Sequence, residues 1–497
     1  MSSNLARLVS EAAERHPERP ALKLDDAVLT YRQLDGATAH VAGLLKAKGV
    51  GTGDRVGIML PNVPYFGVVY YGILRAGGVV VPMNVLLKGR EVSFYLSDPG
   101  AKLVFAWYDF AEAAEAGAEK AGAEAILVKP GDFEKLLAEQ EPDREMADKA
   151  PEDTAVILYT SGTTGKPKGA ELTHFNLHRN AERSATDIME MSEDDVIMGC
   201  LPLFHVFGLT CGLNTSVLRG CTLTLIPRFD PAKALEVVGR DQVTIFQGVP
   251  TMYAAMLNHP DAETAETASL RTCVSGGSAL PEAVMRNFEK TFDAQILEGY
   301  GLSETSPVAS FNMPDRPTKP GTIGCAIPGC EMKLVNLDGT DTAPGEIGEI
   351  AIRGENVMKG YWRRPDATAE AIPDGWFRTG DLATVDEDGY YTIVDRKKDL
   401  IIRGGMNVYP REVEEVLYTH PDVLEAAVVG VPDETLGEEI GAAVALRPGS
   451  STTLDEVQEY VKERIAAYKY PRRIWELDEL PKGPTGKILR REVRPPA

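Results

Sequence analysis

The sequence predicts an α/β protein: a large N-terminal domain of βαβ-type sheets covered by helices, with a β-rich subdomain, and a small α/β C-terminal domain. The first observation is that short apolar runs alternate with amphipathic stretches, as at residues 55–60, 103–106, 125–128, 154–159 and 222–226. Continuous apolar runs bounded by turn residues are typical of strands that are buried on both faces. Amphipathic stretches between such strands predict helices that cover the sheets.

A second observation sets residues 331–395 apart. Several short apolar segments are separated there by dipeptides that favour tight turns, namely Asp338-Gly339, Pro344-Gly345, Asp374-Gly375 and Asp388-Gly389. This spacing predicts strands joined by hairpins, and therefore a β-rich subdomain. We place the domain boundary just after it, with an N-terminal domain over residues 1–397 and a C-terminal domain over residues 398–497. In the C-terminal domain, Pro410 followed by acidic residues predicts the first turn of a helix.

The composition excludes several classes of protein. A chain of 497 residues is long enough for two or three domains, and its 43% hydrophobic content suits large buried cores. The six cysteines form no CxxC pair and no cluster with histidine, which predicts small core residues in a reducing compartment. The formal charge of −22 argues against nonspecific binding to nucleic acid, which needs a basic surface.

One stretch of the chain, residues 56–74, is free of charge and must be considered as a membrane span. Pro61, Asn62 and Pro64 interrupt it, so a strand followed by a helix is the better interpretation. The first residues of the chain contain no apolar signal region. We therefore expect a cytoplasmic protein with no integral membrane contact, present as a monomer or a homodimer.

The most informative motif is Tyr159-Thr-Ser-Gly-Thr-Thr-Gly-Lys-Pro-Lys-Gly169, which directly follows an apolar strand. Its glycines allow backbone N–H groups to converge on phosphate oxygens. Side chains add further donors, from Thr160, Ser161, Thr163, Thr164, Lys166 and Lys168. The motif is not a Walker A sequence, because a proline follows Lys166 where serine or threonine would be required. A flexible surface loop is the alternative, and the preceding strand and the two lysines argue against it.

This run resembles the phosphate-loop signature of the adenylate-forming (AMP-binding) superfamily, which includes acyl-CoA synthetases, luciferases and peptide-synthetase adenylation domains. The resemblance extends over nearly the whole chain, and it is strongest to the branch of acyl-CoA synthetases and fatty acid–CoA ligases, similar to 4-coumarate–CoA ligases. It implies an AMP-forming acid–thiol ligase. The implied substrates are ATP, a carboxylic acid and CoA, with Mg²⁺ as the cofactor that accompanies ATP.

A second segment, Glu298-Gly-Tyr-Gly-Leu-Ser-Glu-Thr305, resembles another signature of the family. The resemblance implies that Tyr300 stacks on adenine, that Ser303 contacts the α-phosphate and that Glu304 is a catalytic residue that helps to hold Mg²⁺. A carboxylate oxygen is a ligand that Mg²⁺ prefers. The family more often has threonine at position 303, and serine keeps its hydroxyl group.

Two more segments complete the implied ATP site. Val274-Ser-Gly-Gly-Ser-Ala279 matches the family's adenine pocket, and Trp376-Phe-Arg-Thr-Gly-Asp381 carries the carboxylate that accepts hydrogen bonds from both ribose hydroxyls, with Arg396 as a further ribose contact. The ATP-binding residues that the resemblance implies are Thr160, Ser161, Gly162, Thr163, Thr164, Lys168, Gly277, Ser278, Ala279, Glu298, Gly299, Tyr300, Gly301, Ser303, Asp381 and Arg396.

Residues of the C-terminal domain are implied in both half-reactions. In Leu480-Pro-Lys-Gly-Pro-Thr-Gly-Lys487 the resemblance identifies Lys487 as the catalytic lysine of adenylation, placed between the carboxylate and the α-phosphate. A mobile point charge suits a step that brings two anions together. Family members rotate this domain before the thiol attacks, and the hinge residue corresponds to Lys398. Gly404 and Gly405 would then let the pantetheine arm of CoA pass close to the backbone.

The segment Leu201-Pro-Leu-Phe-His-Val-Phe-Gly208 resembles the family's gate beside the acyl site. It implies a catalytic, gating role for His205, with an ordinary hydrogen-bonded histidine as the alternative. The presumed acyl pocket is apolar or small, made of Val206, Phe207, Val249, Gly277, Gly299, Pro307 and Val308. A medium- or long-chain fatty acid is the leading interpretation. An aryl acid such as a cinnamate or coumarate is the alternative.

Four other functions are weighed against this one. Family members that take malonate have an arginine where Gly299 stands, and amino-acid adenylators need an aspartate that is not found at the matching positions. An acyl-AMP ligase that loads a carrier protein typically carries an insertion, and none is evident between residues 300 and 400. A non-catalytic nucleotide-binding homologue is disfavoured because Lys487 and Glu304 are present.

Overall fold

The computed structural model describes residues 3–160, 167–336, 338–397, 399–433, 435–483 and 486–496, and there the predicted α/β fold is confirmed. The described strands form four sheets. The first strands are β1 (Pro20–Leu24), β2 (Ala27–Thr30), β3 (Arg55–Met59), β4 (Val79–Pro82), β5 (Ala101–Trp107), β6 (Glu124–Val128), β7 (Thr154–Thr160), β8 (Lys168–Thr173), β9 (Val196–Gly199), β10 (Thr222–Leu225), β11 (Ile245–Gly248), β12 (Thr272–Ser275) and β13 (Gln295–Gly301). The later strands are β14 (Val308–Phe311), β15 (Cys325–Ala326), β16 (Cys330–Val335), β17 (Gly348–Gly354), β18 (Gly360–Tyr361), β19 (Phe377–Val385), β20 (Tyr391–Arg396), β21 (Ile401–Arg403), β22 (Met406–Val408), β23 (Val423–Asp433), β24 (Gly437–Leu446) and β25 (Arg473–Glu476).

Helices separate most of the parallel strands. They are α1 (Arg7–Arg15), α2 (Tyr31–Ala47), α3 (Pro64–Arg75), α4 (Gly89–Ser97), α5 (Ala111–Ala121), α6 (Asp132–Ala138), α7 (His174–Arg183), α8 (Thr215–Arg219), α9 (Pro231–Asp241), α10 (Pro250–Leu257), α11 (Glu282–Phe292), α12 (Pro365–Ala371), α13 (Pro410–Tyr418) and α14 (Leu454–Lys462). A π-helical segment, Phe207–Asn214, leads directly into α8.

Two large sheets form the N-terminal part of the chain. The seven-stranded sheet has the order β18-β8-β7-β4-β3-β5-β6, and its strands from β7 to β6 run parallel. The nine-stranded sheet has the order β15-β14-β13-β12-β11-β9-β10-β1-β2, and its strands from β13 to β1 run parallel. The five predicted apolar runs all lie in these parallel parts, because strands covered on both faces need apolar residues on both faces.

The charge-free stretch at residues 56–74 lies in the protein core. It forms most of β3 and α3, as predicted, and every residue of α3 from position 66 onward is buried. Among the described residues, no helix is both long and apolar enough to cross a membrane. The cysteines are free, and four of them, Cys200, Cys211, Cys221 and Cys273, are buried as predicted core residues.

Local sequence signals determine where several helices begin. Proline occupies the first turn of α3, α9, α10 and α13, where its missing N–H costs no hydrogen bond. The helix predicted from Pro410 is therefore confirmed. At the start of α2, the Gln33 amide donates to the Thr30 hydroxyl (3.3 Å) and the Thr30 amide donates to the Gln33 side chain (2.9 Å). This reciprocal capping satisfies two N–H groups that the helix itself cannot pair.

The predicted β-rich region forms the antiparallel sheet β16-β17-β19-β20. Its turns place Gly339, Gly345 and Gly389 at φ values of 89°, 82° and 86°. Glycine adopts this left-handed conformation without the steric cost that a Cβ atom brings. The glycine dipeptides of the sequence therefore mark turns between strands. In this sheet Asp381 of β19 and Arg396 of β20 are direct neighbours.

The last hundred residues contain the fourth sheet, ordered β22-β21-β24-β23 with β25 parallel to β24. Helices α13 and α14 pack against it around a separate cluster of apolar residues that includes Val413, Leu417, Val428 and Val457. The boundary between residues 397 and 398 stays a prediction. The presumed hinge, Lys398, lies outside the described residues.

Candidate active site

A cavity of about 1100 Å³ opens at the carboxyl ends of β12 and β13. Loops at the carboxyl ends of parallel strands are the usual ligand sites of α/β folds. The wall also includes residues of the β-rich sheet and of the segment 483–491. The predicted site residues that line it are Thr160, Lys168, His205, Val206, Phe207, Gly277, Gly299, Tyr300, Gly301, Ser303, Glu304, Pro307, Val308, Asp381, Arg396 and Lys487.

Other predicted site residues do not line this cavity. Val249 is buried beside it, Ser278 and Ala279 follow β12 in the adjoining turn, and Glu298 is buried in β13. Gly404 and Gly405 form the exposed turn between β21 and β22, with φ values of 57° and 81°. The predicted residues that lie outside the described part of the chain are Ser161, Gly162, Thr163, Thr164 and Lys398.

Three polar side chains form a connected group on one side of the cavity. The Tyr300 hydroxyl donates to Asp381 Oδ2 (2.5 Å), and Arg396 Nε lies 3.2 Å from Asp381 Oδ1. Burial and the neighbouring Asp381 charge hold the pKa of the Tyr300 phenol well above its ordinary value, so this hydroxyl remains a donor. The adjacent strands β19 and β20 set the spacing between Asp381 and Arg396. The group offers a buried carboxylate and a guanidinium to one ligand.

Glu304 supplies a second buried carboxyl group. Its Oε1 atom accepts hydrogen bonds from the hydroxyls of Tyr361 (2.9 Å) and Thr160 (3.4 Å), and its backbone carbonyl accepts one from the Met358 amide (2.8 Å). Burial raises the pKa of the Glu304 carboxyl. Both of these hydroxyl contacts go to Oε1, which leaves Oε2 for a ligand.

Tyr361 is a site residue that sequence reasoning missed. It lies in β18, which pairs with β8, and this pairing carries its side chain to the cavity wall. The Lys168 ammonium stands 5.1 Å from the centre of its ring, and its hydroxyl donates to Glu304. Tyr361 therefore joins the phosphate-loop strand to the Glu304 turn. A Gly-Tyr-Trp segment carries no chemical pattern that could have indicated this contact.

The donor set around Glu304 fits a magnesium ion that shares its coordination with ATP. Mg²⁺ prefers carboxylate oxygens and usually binds through one or two of them, together with phosphates and water. No cluster of three or more His, Cys, Asp or Glu side chains suited to a metal occurs among the described residues. Glu304 would thus supply one carboxylate ligand, and phosphate oxygens and water would complete the shell.

Lys487 enters the cavity from the C-terminal part of the chain. Its ammonium forms no hydrogen bond or ion pair with any described residue. Burial, and secondarily the positive charge of Arg396, lowers the pKa of Lys487 to about 8. Its side chain lies across Gly277, where an added Cβ would stand 2.6 Å from Lys487 Cε and 3.2 Å from Nζ. Gly277 also has a φ of 86°, so both its conformation and its neighbour require glycine.

His205 lines the same cavity, within reach of the charge of Lys487. Its Nδ1 atom accepts a hydrogen bond from the Phe207 amide (3.3 Å), which leaves the proton of the neutral ring on Nε2. Burial, together with the positive charge of Lys487, lowers the pKa of His205 to about 3. The imidazole is therefore neutral throughout the physiological range.

An apolar wall faces these charged groups. The Phe207 ring packs over Gly276, and the Phe311 ring packs over Gly299, where an added Cβ would lie 2.1 Å from a ring carbon. Val206, Pro307 and Val308 continue the same wall. Phe311 was missed by sequence reasoning, because it is six residues beyond the motif that ends at Thr305 and only the pairing of β13 with β14 brings it back.

Glu298 has a different environment from the other carboxylates. It is 2% exposed, and its Oε1 atom accepts a hydrogen bond from the Leu280 amide (3.0 Å). Burial raises the pKa of this carboxyl to about 7. Through the Leu280 amide, Glu298 stabilises the turn that contains Gly277, Ser278 and Ala279. It therefore supports the cavity wall without lining the cavity.

Comparison with known proteins agrees with this geometry. The model of the family "AMP-binding enzyme" matches residues 9–362, and that of the "AMP-binding enzyme C-terminal domain" matches residues 412–487. The chain therefore belongs to the AMP-binding enzymes. It is an AMP-forming acyl- or aryl-CoA ligase, and ligases of this kind use ATP and CoA as substrates.

Two curated relatives and one solved structure illustrate the range of similar proteins. A long-chain-fatty-acid–CoA ligase of Bacillus subtilis is 36% identical, over 99% of this chain and 94% of the relative. A feruloyl-CoA synthase of an Amycolatopsis species is 38% identical, over 97% of this chain and 96% of the relative. The crystal structure of the anthranilate–CoA ligase AuaEII in complex with anthranoyl-AMP superposes with a TM-score of 0.93 at 30% identity, covering 98% and 96% of the two chains.

Proposed function

We propose that this ligase activates a medium- or long-chain fatty acid as its acyl-adenylate and transfers the acyl group to CoA, releasing AMP and pyrophosphate. The observation that carries the proposal is the composition of the cavity. Charged and polar groups of the N-terminal domain face Lys487 across it, and an apolar wall adjoins them. The proposal includes a cytoplasmic location and a monomer or homodimer.

The polar side of the cavity suits the adenylation half-reaction. A carboxylate oxygen attacks the α-phosphorus of ATP, and the bond to pyrophosphate breaks. Asp381 would accept hydrogen bonds from the ribose hydroxyls, and Tyr300 would stack on the adenine. Lys487 would bring its charge to the point where the two anions meet, where a preorganised cation lowers the barrier. The chain contributes position and charge, because no covalent intermediate with the protein is required.

The phosphates of ATP need further positive charge and donors. We assign this role to Lys168, Thr160 and the predicted loop residues between them, with Ser303 at the α-phosphate. Glu304 would hold Mg²⁺ through Oε2 while Tyr361 and Thr160 fix Oε1. When bound, Mg²⁺ supplies charge that neutralises phosphate oxygens. Glu298, Gly299, Gly301, Ser278 and Ala279 would shape the adenine side of the pocket.

In the second half-reaction the thiol of CoA attacks the acyl carbon, and AMP leaves. The turn at Gly404 and Gly405 is exposed and has the left-handed backbone that glycine favours, which would let a pantetheine arm pass close to it. Exposed Ile402 and Met406 flank this turn, 51% and 42% exposed. We propose that rotation about Lys398 brings this apolar hairpin to the cavity and removes Lys487 from it.

The apolar wall supports a hydrophobic acid. Its members carry no charge, and His205 beside them is neutral, so an acid with a second carboxylate would find no partner there. An arginine at Gly299 would have to displace the Phe311 ring, which disfavours a malonate-type site. A long-chain fatty acid is also the substrate named in several relatives. Val249, although outside the lining, packs against the loop that carries Lys487.

An aryl acid is the second candidate. Two phenyl rings, those of Phe207 and Phe311, lie in the wall, and rings of this kind pack well against another aromatic group. The feruloyl-CoA synthase and the anthranilate–CoA ligase, whose names state aromatic acids, also favour it. Transfer to a carrier protein instead of CoA is the third candidate.

A panel of acids tests the proposal. Pyrophosphate release is measured with octanoate, palmitate, coumarate, ferulate, benzoate and malonate, each with and without CoA. We expect the fatty acids to give the highest kcat/KM and a stoichiometric acyl-CoA product. A higher kcat/KM with coumarate or ferulate would establish the aryl alternative, and release without a CoA product would point to a carrier protein.

Lys487→Ala separates the two half-reactions. Pyrophosphate release should fall by about two to three orders of magnitude, since a preorganised charge at the reacting centre is worth about 3–4 kcal/mol. Conversion of supplied acyl-AMP to acyl-CoA should be retained. An equal loss in both half-reactions would contradict the assignment of Lys487 to adenylation.

A further inference from the structure

Among the described residues, none holds the Lys487 ammonium by a hydrogen bond or an ion pair. Its side chain packs across Gly277, where an added Cβ would stand 2.6 Å from Lys487 Cε. The position of the charge therefore depends on what anchors the loop at residues 483–491. A catalytic group must be held close to its productive geometry, and a shift of about 1 Å can cost about 100-fold in rate.

Two anchors join this loop to the rest of the chain on either side of Lys487. Before it, the Thr251 hydroxyl donates to the Gly486 carbonyl (2.9 Å). After it, the Arg490 guanidinium reaches two separate elements. Its Nε donates to Glu414 Oε1 of α13 (3.0 Å), its Nη2 to Glu414 Oε2 (2.5 Å), and its Nη1 to Asp395 Oδ1 of β20 (3.0 Å). Within the loop, the Gly483 amide donates to the Lys487 carbonyl (2.8 Å).

The Asp395 carboxylate, which accepts one of these hydrogen bonds, is buried and fixed by further hydrogen bonds. Its side chain is 1% exposed, and it also accepts hydrogen bonds from the amides of Arg396 (2.7 Å) and Arg411 (3.0 Å). It stands next to Arg396 in β20, and Arg396 contacts Asp381 on the cavity wall. Arg490 thus connects the Lys487 loop to the same strand that carries a predicted ribose contact. A guanidinium in a buried site can form several hydrogen bonds at once, so it fixes the orientation of the groups that it joins as well as their distance.

We propose that Arg490 is a positioning residue for adenylation. By binding both Asp395 and Glu414, it holds the Lys487 loop in its position beside the ATP site. Arg490 touches neither ATP nor acid. The proposal rests on the proposed function in one respect, namely that Lys487 serves the first half-reaction and not the second. Loss of Arg490 should consequently affect the formation of acyl-AMP and not its consumption.

The test compares Arg490→Gln and Arg490→Lys with the matched control Arg494→Gln, which removes the same charge from an exposed position four residues on. Arg490→Gln should lower pyrophosphate release in the absence of CoA by about 100-fold. Conversion of supplied acyl-AMP and CoA to acyl-CoA should be unchanged, which also shows that the variant is folded. Arg490→Lys should show a smaller loss of pyrophosphate release, because lysine keeps the positive charge but cannot form the paired hydrogen bonds of a guanidinium. The control should match the wild type in both assays.

A second measurement does not depend on catalytic activity. It can therefore test the role of Arg490 even if the proposed function is wrong. Competitive acetylation of lysines as a function of pH, read by mass spectrometry, reports how Lys487 titrates in its cavity. The wild type and Arg494→Gln should label Lys487 with a depressed pKa, and Arg490→Gln should return it toward the ordinary value of a solvated lysine. Equal loss in both half-reactions, or an unchanged Lys487 titration in Arg490→Gln, would overturn the role of Arg490. Failure of wild-type adenylation with every acid would instead refute the proposed function.

Discussion

At the scale of single residues, the charge of Lys487 gives a prediction for the dependence of activity on pH. Its pKa is lowered to about 8 by burial and by Arg396, so the side chain is charged below that pH and neutral above it. Since adenylation is proposed to need the charge, kcat/KM for ATP should fall as the pH rises through about 8. The residual activity of Lys487→Arg should not show this fall, because a guanidinium stays charged. A wild-type profile that is flat to pH 10 would contradict the prediction.

Tyr361 gives a second prediction at this scale. Tyr361→Phe removes the hydroxyl that donates to Glu304 Oε1 and should leave the carboxylate less well oriented. A hydrogen bond to a charged group contributes about 1.5–3 kcal/mol, so the dissociation constant of ATP measured by calorimetry in the presence of Mg²⁺ should rise about tenfold or more. Binding of ATP in EDTA should change little.

Tyr391→Phe is the matched control for this experiment. It also removes one phenol hydroxyl, which donates to the Met332 carbonyl (2.8 Å) in the β-rich sheet and does not line the cavity. ATP binding by this variant should equal that of the wild type with and without Mg²⁺. A Tyr361→Phe variant that loses affinity equally in both conditions would show that Tyr361 acts on the nucleotide and not through Glu304.

At the scale of secondary-structure elements, the pairing of β13 with β14 shapes the acyl side of the cavity. Gly299 and Phe311 are Cα partners in this pair, and the ring lies where a Cβ of residue 299 would stand. Gly299→Ala should therefore displace the Phe311 ring. Overpacking of a buried site costs about 1–3 kcal/mol, and we expect a lower melting temperature together with a raised KM for the acid.

The double variant Gly299→Ala/Phe311→Leu tests the cause of that effect. Leucine is smaller than phenylalanine and leaves room for the new methyl group, so the double variant should recover stability relative to Gly299→Ala. Effects that simply add would show that the two positions do not interact. In that case the ring does not set the size of the acyl pocket.

At the scale of the whole molecule, the sequence predicts the fold and most of the cavity, because both depend on local patterns. Apolar runs indicate buried strands, and glycine motifs at strand ends indicate ligand turns. Contacts that join distant segments are not encoded in this way. Tyr361 and Phe311 reach the cavity only through strand pairing, and Arg490, which does not line the cavity, is linked to it through contacts with two other elements.

The same reason explains where the predicted site and the cavity differ. Val249 is predicted to lie in the acyl pocket and Glu298 in the ATP site, yet both side chains are buried outside the cavity lining. A motif identifies which segment approaches a ligand, and the direction of each side chain depends on packing that the sequence does not state. The boundary at residues 397 and 398 and the roles of Lys398, Gly404 and Gly405 remain predictions, since they concern a second arrangement of the chain.

The loop that carries Lys487 is also part of the cavity wall, and this has a consequence for the fidelity of the enzyme. An acyl-adenylate is a mixed anhydride that water hydrolyses, and a wall that includes the loop would shield that bond while the loop is in place. If the loop departs to admit a thiol, as the proposed rotation requires, it would admit water by the same opening. The yield of thioester per ATP then depends on whether CoA arrives before water, so every contact that delays opening until CoA is bound reduces the waste of ATP.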